Sequence, residues 1–267
     1  MLAAVGSEAR ERARSKRAQL VVHAEVDPVQ RAWLSPDGTW GATVCRGGPV
    51  EIFDPGTGLL IRSVPLDIQF GFRHACPSPD GRYLAVSGLP DSPRLLDVRT
   101  GTWTRVFDHL DHAAQAVAVS RDAASVVVGD GGGRIRLYGK SSEAKWVTDV
   151  HKGSVTSVAV SADGKVIFSL GEDGMVARLS ARGRLRGAGV QLGAPGMDIV
   201  CSADGSWWAA RTVDGRVHVP AARGGGAVTL PAGPELVVAM AMASTGDGLV
   251  VLGAAGSAWI QPREGAA

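Results

Sequence analysis

Three side chains in the middle of the chain have the types of a nucleophilic triad. His151, Ser169 and Asp173 could act as base, nucleophile and orienting acid if they lay within hydrogen-bonding reach of one another. Ser169, however, lies inside a run of β-favouring residues, and a nucleophilic serine is usually presented on an exposed strand-to-helix turn. The position of Ser169 therefore argues against nucleophilic catalysis.

Two further segments carry residue types that bind ions. Residues 108–112, Asp-His-Leu-Asp-His, place His109 and His112 three positions apart, and two such imidazoles bind zinc only with further ligands. No Cys or His spacing elsewhere supplies those ligands, so we expect exposed loop histidines and no metal. The glycine-rich residues 129–133 could cradle a phosphate, but no helix begins there and no Lys-Ser/Thr pair follows. We expect an ordinary turn.

The composition excludes several classes of protein. Of 267 residues, 45% are apolar and 20% charged, a balance typical of a folded domain. No apolar run reaches the roughly 18 residues that span a bilayer. Cys45, Cys76 and Cys201 form no Cys-x-x-Cys pair, which is typical of reduced thiols in a cytoplasmic protein. The net charge of +2 is concentrated in residues 1–17, so the nearly neutral remainder has no general attraction for nucleic acid.

A short motif recurs along the chain and sets its organisation. Ser-x-Asp-Gly, or a variant of it, begins at Ser35, Ser78, Ser120, Ser161, Ser202 and, more loosely, Ser244. Successive motifs are 41 to 43 residues apart, and each lies between two β-favouring runs, with Asp-Gly supplying the turn. Further short apolar runs complete four predicted antiparallel strands per unit. Repeated units of this kind are typical of a β-propeller, an all-β fold.

Six motifs predict six blades. The last unit ends after its third run, while residues 17–25 alternate between polar and apolar types and have no place in the first unit. We therefore expect this N-terminal strand to close the ring and cover the bare edge of the last blade. Residues 17–267 would then form one propeller domain, preceded by a basic tail or short helix over residues 1–16. A seven-bladed ring is the alternative.

The fourth unit resembles a WD40 repeat. It has a His before the first strand, a Ser in the second strand and an Asp in the next turn, within residues 151–179. In the WD40 family these residues form a buried hydrogen-bond network with a Trp that ends the third strand. The resemblance thus assigns a structural role to His151, Ser169 and Asp173, while Leu179 stands at the Trp position. It extends over about residues 17–267 and implies a rigid ring that recognises other proteins.

One face of the predicted ring is the better candidate for binding a partner. It carries the loops that lead into each first strand and the turns that follow each second strand, and these connections differ among the units. The Ser-x-Asp-Gly turns of the opposite face are nearly uniform. Aromatic and arginine side chains dominate interfaces, although a core position is the favoured interpretation for Phe70 and Phe72. The candidates are Phe70, Phe72, Arg73, His112, Lys152 and Glu172.

These features predict a non-catalytic, cytoplasmic interaction scaffold or sensing module without a cofactor. Its partner would be another protein or a domain of the same regulatory or defence assembly, and outside that assembly the chain would be monomeric. Neither membrane nor nucleic acid is expected as a partner. The excess of Arg over Lys, with abundant Ala and Gly, favours a GC-rich bacterial genome.

Two alternative functions stay open. A central-channel hydrolase or lyase would need carboxylates on the first strands, where Asp198 is the exception, and one acid cannot hold calcium, which takes six or more oxygens. A nucleic-acid-binding ring would need a basic stripe with interleaved aromatic side chains.

Overall fold

The structure is a computed structural model. It describes residues 29–35, 37–45, 48–66, 72–88, 92–108, 110–221, 226–230, 237–242, 248–253 and 258–262. The predicted tail, residues 1–16, and the predicted closing strand, residues 17–25, lie outside the described residues. Within these ranges the regular secondary structure consists entirely of β-strands. The part of the chain that the structure describes contains no helix with the length and apolarity that a membrane crossing requires.

Six antiparallel sheets follow one another along the chain. The first contains β1 (Val29–Leu34), β2 (Gly41–Cys45), β3 (Val50–Phe53) and β4 (Leu60–Val64). The second contains β5 (Phe72–Pro77), β6 (Tyr83–Gly88), β7 (Arg94–Asp97) and β8 (Thr102–Val106). The third contains β9 (Ala114–Val119), β10 (Val126–Asp130), β11 (Arg134–Tyr138) and β12 (Ala144–Asp149). In each sheet the strands are paired in chain order.

The second half of the chain repeats this arrangement. The fourth sheet contains β13 (Val155–Val160), β14 (Val166–Gly171), β15 (Met175–Ser180) and the short β16 (Val190–Gln191). The fifth contains β17 (Gly196–Cys201), β18 (Trp208–Thr212), β19 (Val217–Pro220) and β20 (Ala227–Thr229). The sixth has three strands among the described residues, β21 (Val237–Met242), β22 (Gly248–Gly253) and β23 (Ala258–Pro262).

Local hydrogen bonds explain why the Ser-x-Asp-Gly motif forms the turn between first and second strands. In the fourth sheet the Ser161 hydroxyl donates to Asp163 Oδ1 (2.7 Å) and accepts from the Val166 amide (3.0 Å). Asp163 Oδ1 also accepts from the Lys165 amide (3.0 Å), and Gly164 takes a φ of +71°. The serine and aspartate acceptors recur in all of the first five sheets. The turn is therefore encoded within six consecutive residues.

The apolar core lies between the faces of neighbouring sheets. Ala116, Val127 and Leu137 of the third sheet pack against Val158 and Ile167 of the fourth, and all are buried. The first strands of successive sheets are neighbours, from β5 and β9 through β13 and β17 to β21, whereas the fourth strands are half exposed. Each strand of the first three sheets is four to six residues long.

The prediction of an all-β chain built from four-stranded antiparallel sheets is confirmed. The described sheets do not close into a ring, and the number of blades stays a prediction. The sixth sheet ends with β23, so the edge that the predicted N-terminal strand would cover belongs to that strand.

Candidate interaction face

Each first strand has a β-bulge at its second residue. The pairing of the first strand with the second skips one residue in every sheet, and the skipped residues recur with the period of the repeat. They are Gln30, Arg73, Gln115, Thr156, Met197 and Val238, which we call the bulge row. A bulged residue is left out of the strand ladder, so its side chain is re-aimed. All six lie where the chain enters the first strand, on what we call the loop face.

The bulge row offers contact chemistry and no acid–base chemistry. By type it contains two amides, one guanidinium, one hydroxyl, one thioether and one isopropyl group, and none of these is a general acid or base near neutral pH. Arg73 is exposed, and Met197 and Val238 are 39% and 42% exposed. The Thr156 hydroxyl is half-buried and donates to the Leu170 carbonyl oxygen (3.0 Å). Apart from Gln30, whose side chain lies outside the described set, the row thus presents mixed polar and apolar side chains on a repeated backbone.

In the fourth sheet the structure brings His151, Ser169 and Asp173 together. His151 Nδ1 lies 3.0 Å from Asp173 Oδ1, and His151 Nε2 lies 2.8 Å from Ser169 Oγ. An ionised Asp173 can only accept, so Nδ1 carries the proton and Nε2 accepts from the serine hydroxyl. Burial lowers the pKa of His151, and the hydrogen bond with Asp173 opposes that shift without cancelling it. The imidazole is therefore neutral near pH 7.

These contacts match the hydrogen-bond pattern of a nucleophilic triad, but the serine is placed where a substrate cannot reach it. Ser169 is fully buried inside β14, so the cluster serves to hold the fold together. Asp173 Oδ2 accepts from the Lys152 amide (3.0 Å), while Oδ1 also accepts from the Met175 amide (3.1 Å). Burial raises the pKa of Asp173, but these hydrogen bonds outweigh it and the net shift is downward. The cluster ties the loop before β13 to the turn after β14.

Lys152 and Glu172 are placed by this cluster on the loop face. The backbone of Lys152 is held by Asp173, and the Glu172 amide donates to the Ser154 carbonyl oxygen (2.9 Å). Glu172 Oε2 accepts from the Ser154 amide (3.3 Å). Both side chains are exposed. The cation of Lys152 and the anion of Glu172 are thus exposed on two segments whose backbones are fixed by these hydrogen bonds.

The third sheet replaces the histidine cluster with an ion cluster that the sequence did not reveal. Asp130 is fully buried and forms an ion pair with the buried Arg136. It also accepts from the amides of Gly132 (2.8 Å) and Arg134 (3.0 Å). Arg134 in turn contacts Asp111 (2.7 Å). The sequence feature that could have indicated this cluster is Arg136, a charged residue at an inward position of an otherwise buried strand.

His112 lies on the loop face of this third sheet and is exposed, with its ring against Gly132. The other histidine of this segment, His109, lies outside the described residues. Within the described part of the chain, no three His, Cys, Asp or Glu side chains are grouped as metal ligands.

In the fifth sheet Asp198 is held by an arginine. Arg211 forms an ion pair with Asp198 and donates through Nη1 to the Val237 carbonyl oxygen (3.0 Å) of the sixth sheet. Asp198, the acidic residue noted in the predicted first strands, therefore helps Arg211 to join the fifth sheet to the sixth. The same sheet exposes Val213 (55%) in the turn after its second strand, an apolar contribution to the loop face that sequence reasoning missed.

The structure places four of the six sequence candidates on the loop face of three consecutive sheets. Arg73 belongs to the second sheet, His112 to the third, and Lys152 and Glu172 to the fourth, and all four are exposed. Phe70 lies outside the described residues. The backbone of Phe72 begins β5, but its side chain lies outside the described set.

Comparison with known proteins supports a WD40-like propeller. No family model matches the chain. A nuclear distribution protein PAC1 from Coccidioides posadasii is 30% identical over 79 residues, which are 30% of this chain and 17% of that protein. A cilia- and flagella-associated protein 52 from Chlamydomonas reinhardtii is 30% identical over 105 residues, 39% of this chain and 17% of that protein. The chain thus matches less than one fifth of the length of either relative.

The fold itself has a close structural counterpart. A chain in the crystal structure of the mitotic checkpoint complex superposes with a TM-score of 0.76 at 16% identity, covering 91% of this chain and 77% of that one. This likeness shows a propeller fold. Both sequence relatives are eukaryotic proteins and lend no support to a bacterial source, which stays a prediction.

Proposed function

We propose that this protein is a non-catalytic interaction module that binds another protein, or a domain of its own assembly, through the loop face. The observation that carries the proposal is the bulge row. The backbone repeats the same bulge at every described first strand, but the six positions carry five residue types that differ in charge, polarity and size. A rigid repeated scaffold that displays unlike side chains is suited to recognising one particular surface.

The opposite face supports this choice of surface. There the aspartates of the Ser-x-Asp-Gly turns accept hydrogen bonds from their own turn in each of the first five sheets. Their polar groups are occupied in forming the fold. Arg73, Met197 and Val238 on the loop face are exposed and are not needed for any turn. Arginine and large apolar side chains are also the types that form interface hot spots.

Neither alternative function gains support from the loop face. A central-channel hydrolase or lyase needs several converging carboxylates or an accessible nucleophile. Among the described first strands Asp198 is the one acid and is engaged by Arg211, and Ser169 is buried. A nucleic-acid-binding ring needs a basic stripe, and Arg73 is the one cation of the bulge row. Mixed contacts with a protein suit this set of side chains better.

The proposal includes the organisation of the whole chain. Residues 17–25 would supply the fourth strand of the sixth sheet and close a six-bladed ring, so that residues 17–267 form one domain after a basic segment over residues 1–16. The sixth sheet supports this closure, since it has three strands among the described residues and the edge of β23 is the one that the N-terminal strand would cover. The module would act in the cytoplasm as a monomer outside its assembly.

A comparison of two double variants tests the binding face. Tagged wild-type protein, Arg73→Ala/Met197→Ala on the loop face and Asp37→Ala/Asp122→Ala on the opposite face would be used to purify partners from the native cell, with quantification by mass spectrometry. We expect the loop-face pair to lose a protein that the wild type and the opposite-face pair retain. All three should keep the same circular dichroism spectrum. The proposal fails if the opposite-face pair loses the partner and the loop-face pair keeps it.

A further inference from the structure

A tight hairpin at the outer part of the fourth sheet gathers four arginines. After β15 the chain turns back on itself, and Leu179 and Leu185 form a β-bridge. Two backbone hydrogen bonds flank that bridge, from the Arg186 amide to the Arg178 carbonyl oxygen (2.7 Å) and from the Ser180 amide to the Arg184 carbonyl oxygen (2.9 Å). We call residues 178–186 the arginine hairpin. Its arginines, Arg178, Arg182, Arg184 and Arg186, are all exposed.

The register of the hairpin places three of these arginines on one side. Arg178 lies directly opposite Arg186, and Arg184 lies two residues before Arg186, at the alternate position of the same strand. Directly opposed residues and alternate residues share a face of a β-ribbon. Arg178 also packs its guanidinium over the Phe168 ring, 5.8 Å from the ring centre. Three guanidinium groups are therefore held within reach of one extended ligand.

No carboxylate balances this charge. Residues 174–197 contain no Asp or Glu, and none of the four arginines forms an ion pair with a carboxylate in the described part of the chain. Like charges directly opposite each other in a β-ribbon are destabilising. The guanidinium groups of the hairpin thus repel one another, and the fold does not relieve this repulsion. An anionic ligand would relieve it.

The neighbouring sheet holds the hairpin in place. Trp146 of the third sheet donates through its indole N–H to the Ala181 carbonyl oxygen (2.9 Å), and the Thr148 hydroxyl donates to the Gly183 carbonyl oxygen (3.2 Å). Gly183 takes a φ of +73°, and a Cβ there would lie 2.7 Å from the Trp146 ring. Because the turn is already fixed, binding would cost little ordering of the backbone.

We propose that the arginine hairpin binds an extended acidic segment of a partner protein, with Asp or Glu at alternate positions. Alternate residues of an extended chain are about 6.8 Å apart, which is the spacing that Arg184 and Arg186 themselves have on their strand. A guanidinium binds a carboxylate through two parallel hydrogen bonds, so each arginine can fix one acidic side chain. The hairpin is separate from the loop face and does not depend on the function proposed for that face.

The surroundings of the hairpin favour a polypeptide over other polyanions. A site for duplex DNA commonly makes about 6–10 phosphate contacts, more than four arginines on one hairpin provide. Single strands are held by stacking on aromatic side chains, and none of the exposed large apolar side chains among the described residues is aromatic. An anionic membrane surface is bound by basic clusters with several inserting apolar side chains, and the exposed apolar side chain of this hairpin is Leu185 alone.

Fluorescence anisotropy with a defined peptide tests the proposal. The probe is a labelled eight-residue Glu-Thr repeat at low ionic strength, and the same repeat with Gln in place of Glu is the uncharged reference. We expect wild-type protein to bind the acidic repeat and not the reference, and R184Q/R186Q to bind it about tenfold more weakly. The double variant should melt no lower than the wild type, because it removes like charges.

The control variant carries the same change of charge elsewhere. Arg62 and Arg99 are exposed, and Arg62 donates to the Arg99 carbonyl oxygen (3.4 Å) in the first two sheets, so R62Q/R99Q matches the loss of two neighbouring cations. It should bind the acidic repeat as the wild type does, and so should the loop-face pair Arg73→Ala/Met197→Ala. Equal weakening in R62Q/R99Q, no binding of the repeat, or tighter binding of a 20-base-pair duplex or of phosphatidylserine vesicles would each overturn the proposal.

Discussion

Replacing Asp173 with alanine tests whether the buried histidine cluster stabilises the fourth sheet. The carboxylate accepts three hydrogen bonds, from His151 Nδ1 (3.0 Å), the Lys152 amide (3.0 Å) and the Met175 amide (3.1 Å). The side chain of His151 has no exposed surface. The substitution therefore leaves a buried donor without an acceptor and frees the loop before β13.

The size of the effect follows from which donors water can reach. Lys152 is exposed, so its amide can bond to solvent at little cost. The imidazole N–H cannot, and a buried donor left unpaired costs about 1–3 kcal/mol. Adding a smaller contribution from the Met175 amide, we expect the free energy of unfolding to fall by about 2–3 kcal/mol. Asp173→Asn keeps one acceptor and should lose less.

Asp163→Ala is the matched control within the same sheet. Asp163 also accepts from a side chain, Ser161 (2.7 Å), and from an amide, Lys165 (3.0 Å), but it lies in an exposed turn. We expect a loss below about 1 kcal/mol. The assay is urea unfolding followed by circular dichroism, with the dependence on urea unchanged in all variants. Identical midpoints for Asp173→Ala and Asp163→Ala would refute the stabilising role of the cluster.

Three further perturbations have defined outcomes. Burial lowers the pKa of His151 and His218 below the usual histidine value of about 6.5, so the unfolded chain binds protons before the folded one as the pH drops. The free energy of unfolding should therefore fall as the pH drops through about 6.5. Urea midpoints measured at about pH 7.5 and 5.5 should show a smaller fall in His218→Asn than in the wild type. Gly133→Ala would place a Cβ 2.2 Å from a carbonyl oxygen of the next sheet and should cost more than about 2 kcal/mol, whereas Gly38→Ala, also at positive φ but in open space, should cost about 1 kcal/mol in the same titration. Removing residues 1–16 should leave the melting temperature unchanged and removing 1–26 should lower it; equal melting temperatures would contradict ring closure by residues 17–25.

The turns and strands were predictable from the sequence because their chemistry is local. In Ser161-Ala-Asp-Gly the serine and the aspartate satisfy groups within six residues and the glycine allows the turn, so the motif alone identifies the turn and, by its period, the strands on either side. The grouping of His151, Ser169 and Asp173 was inferred from a resemblance to the WD40 repeat. The structure brings these three side chains into one cluster.

The ion clusters were not predictable in this way because each depends on strand pairing. Asp130 and Arg136 meet since β10 and β11 are adjacent and both side chains turn to the same side of the sheet. Arg211 joins Asp198 to the Val237 carbonyl oxygen across two sheets. Their sequence separations show no period, and a shift of one residue in register would send either side chain to the other face.

The two proposed binding surfaces also depend on strand pairing, whereas the repeat and the turns do not. The amino-acid sequence alone determines the repeat, the turns and the strand-rich fold, since these depend on residues that are close together in the chain. The bulge row depends on which residue each strand pair leaves unpaired, and the shared face of Arg178, Arg184 and Arg186 depends on the register of one hairpin. Only the tertiary structure decides these, because pairing and packing between distant residues set where each side chain points.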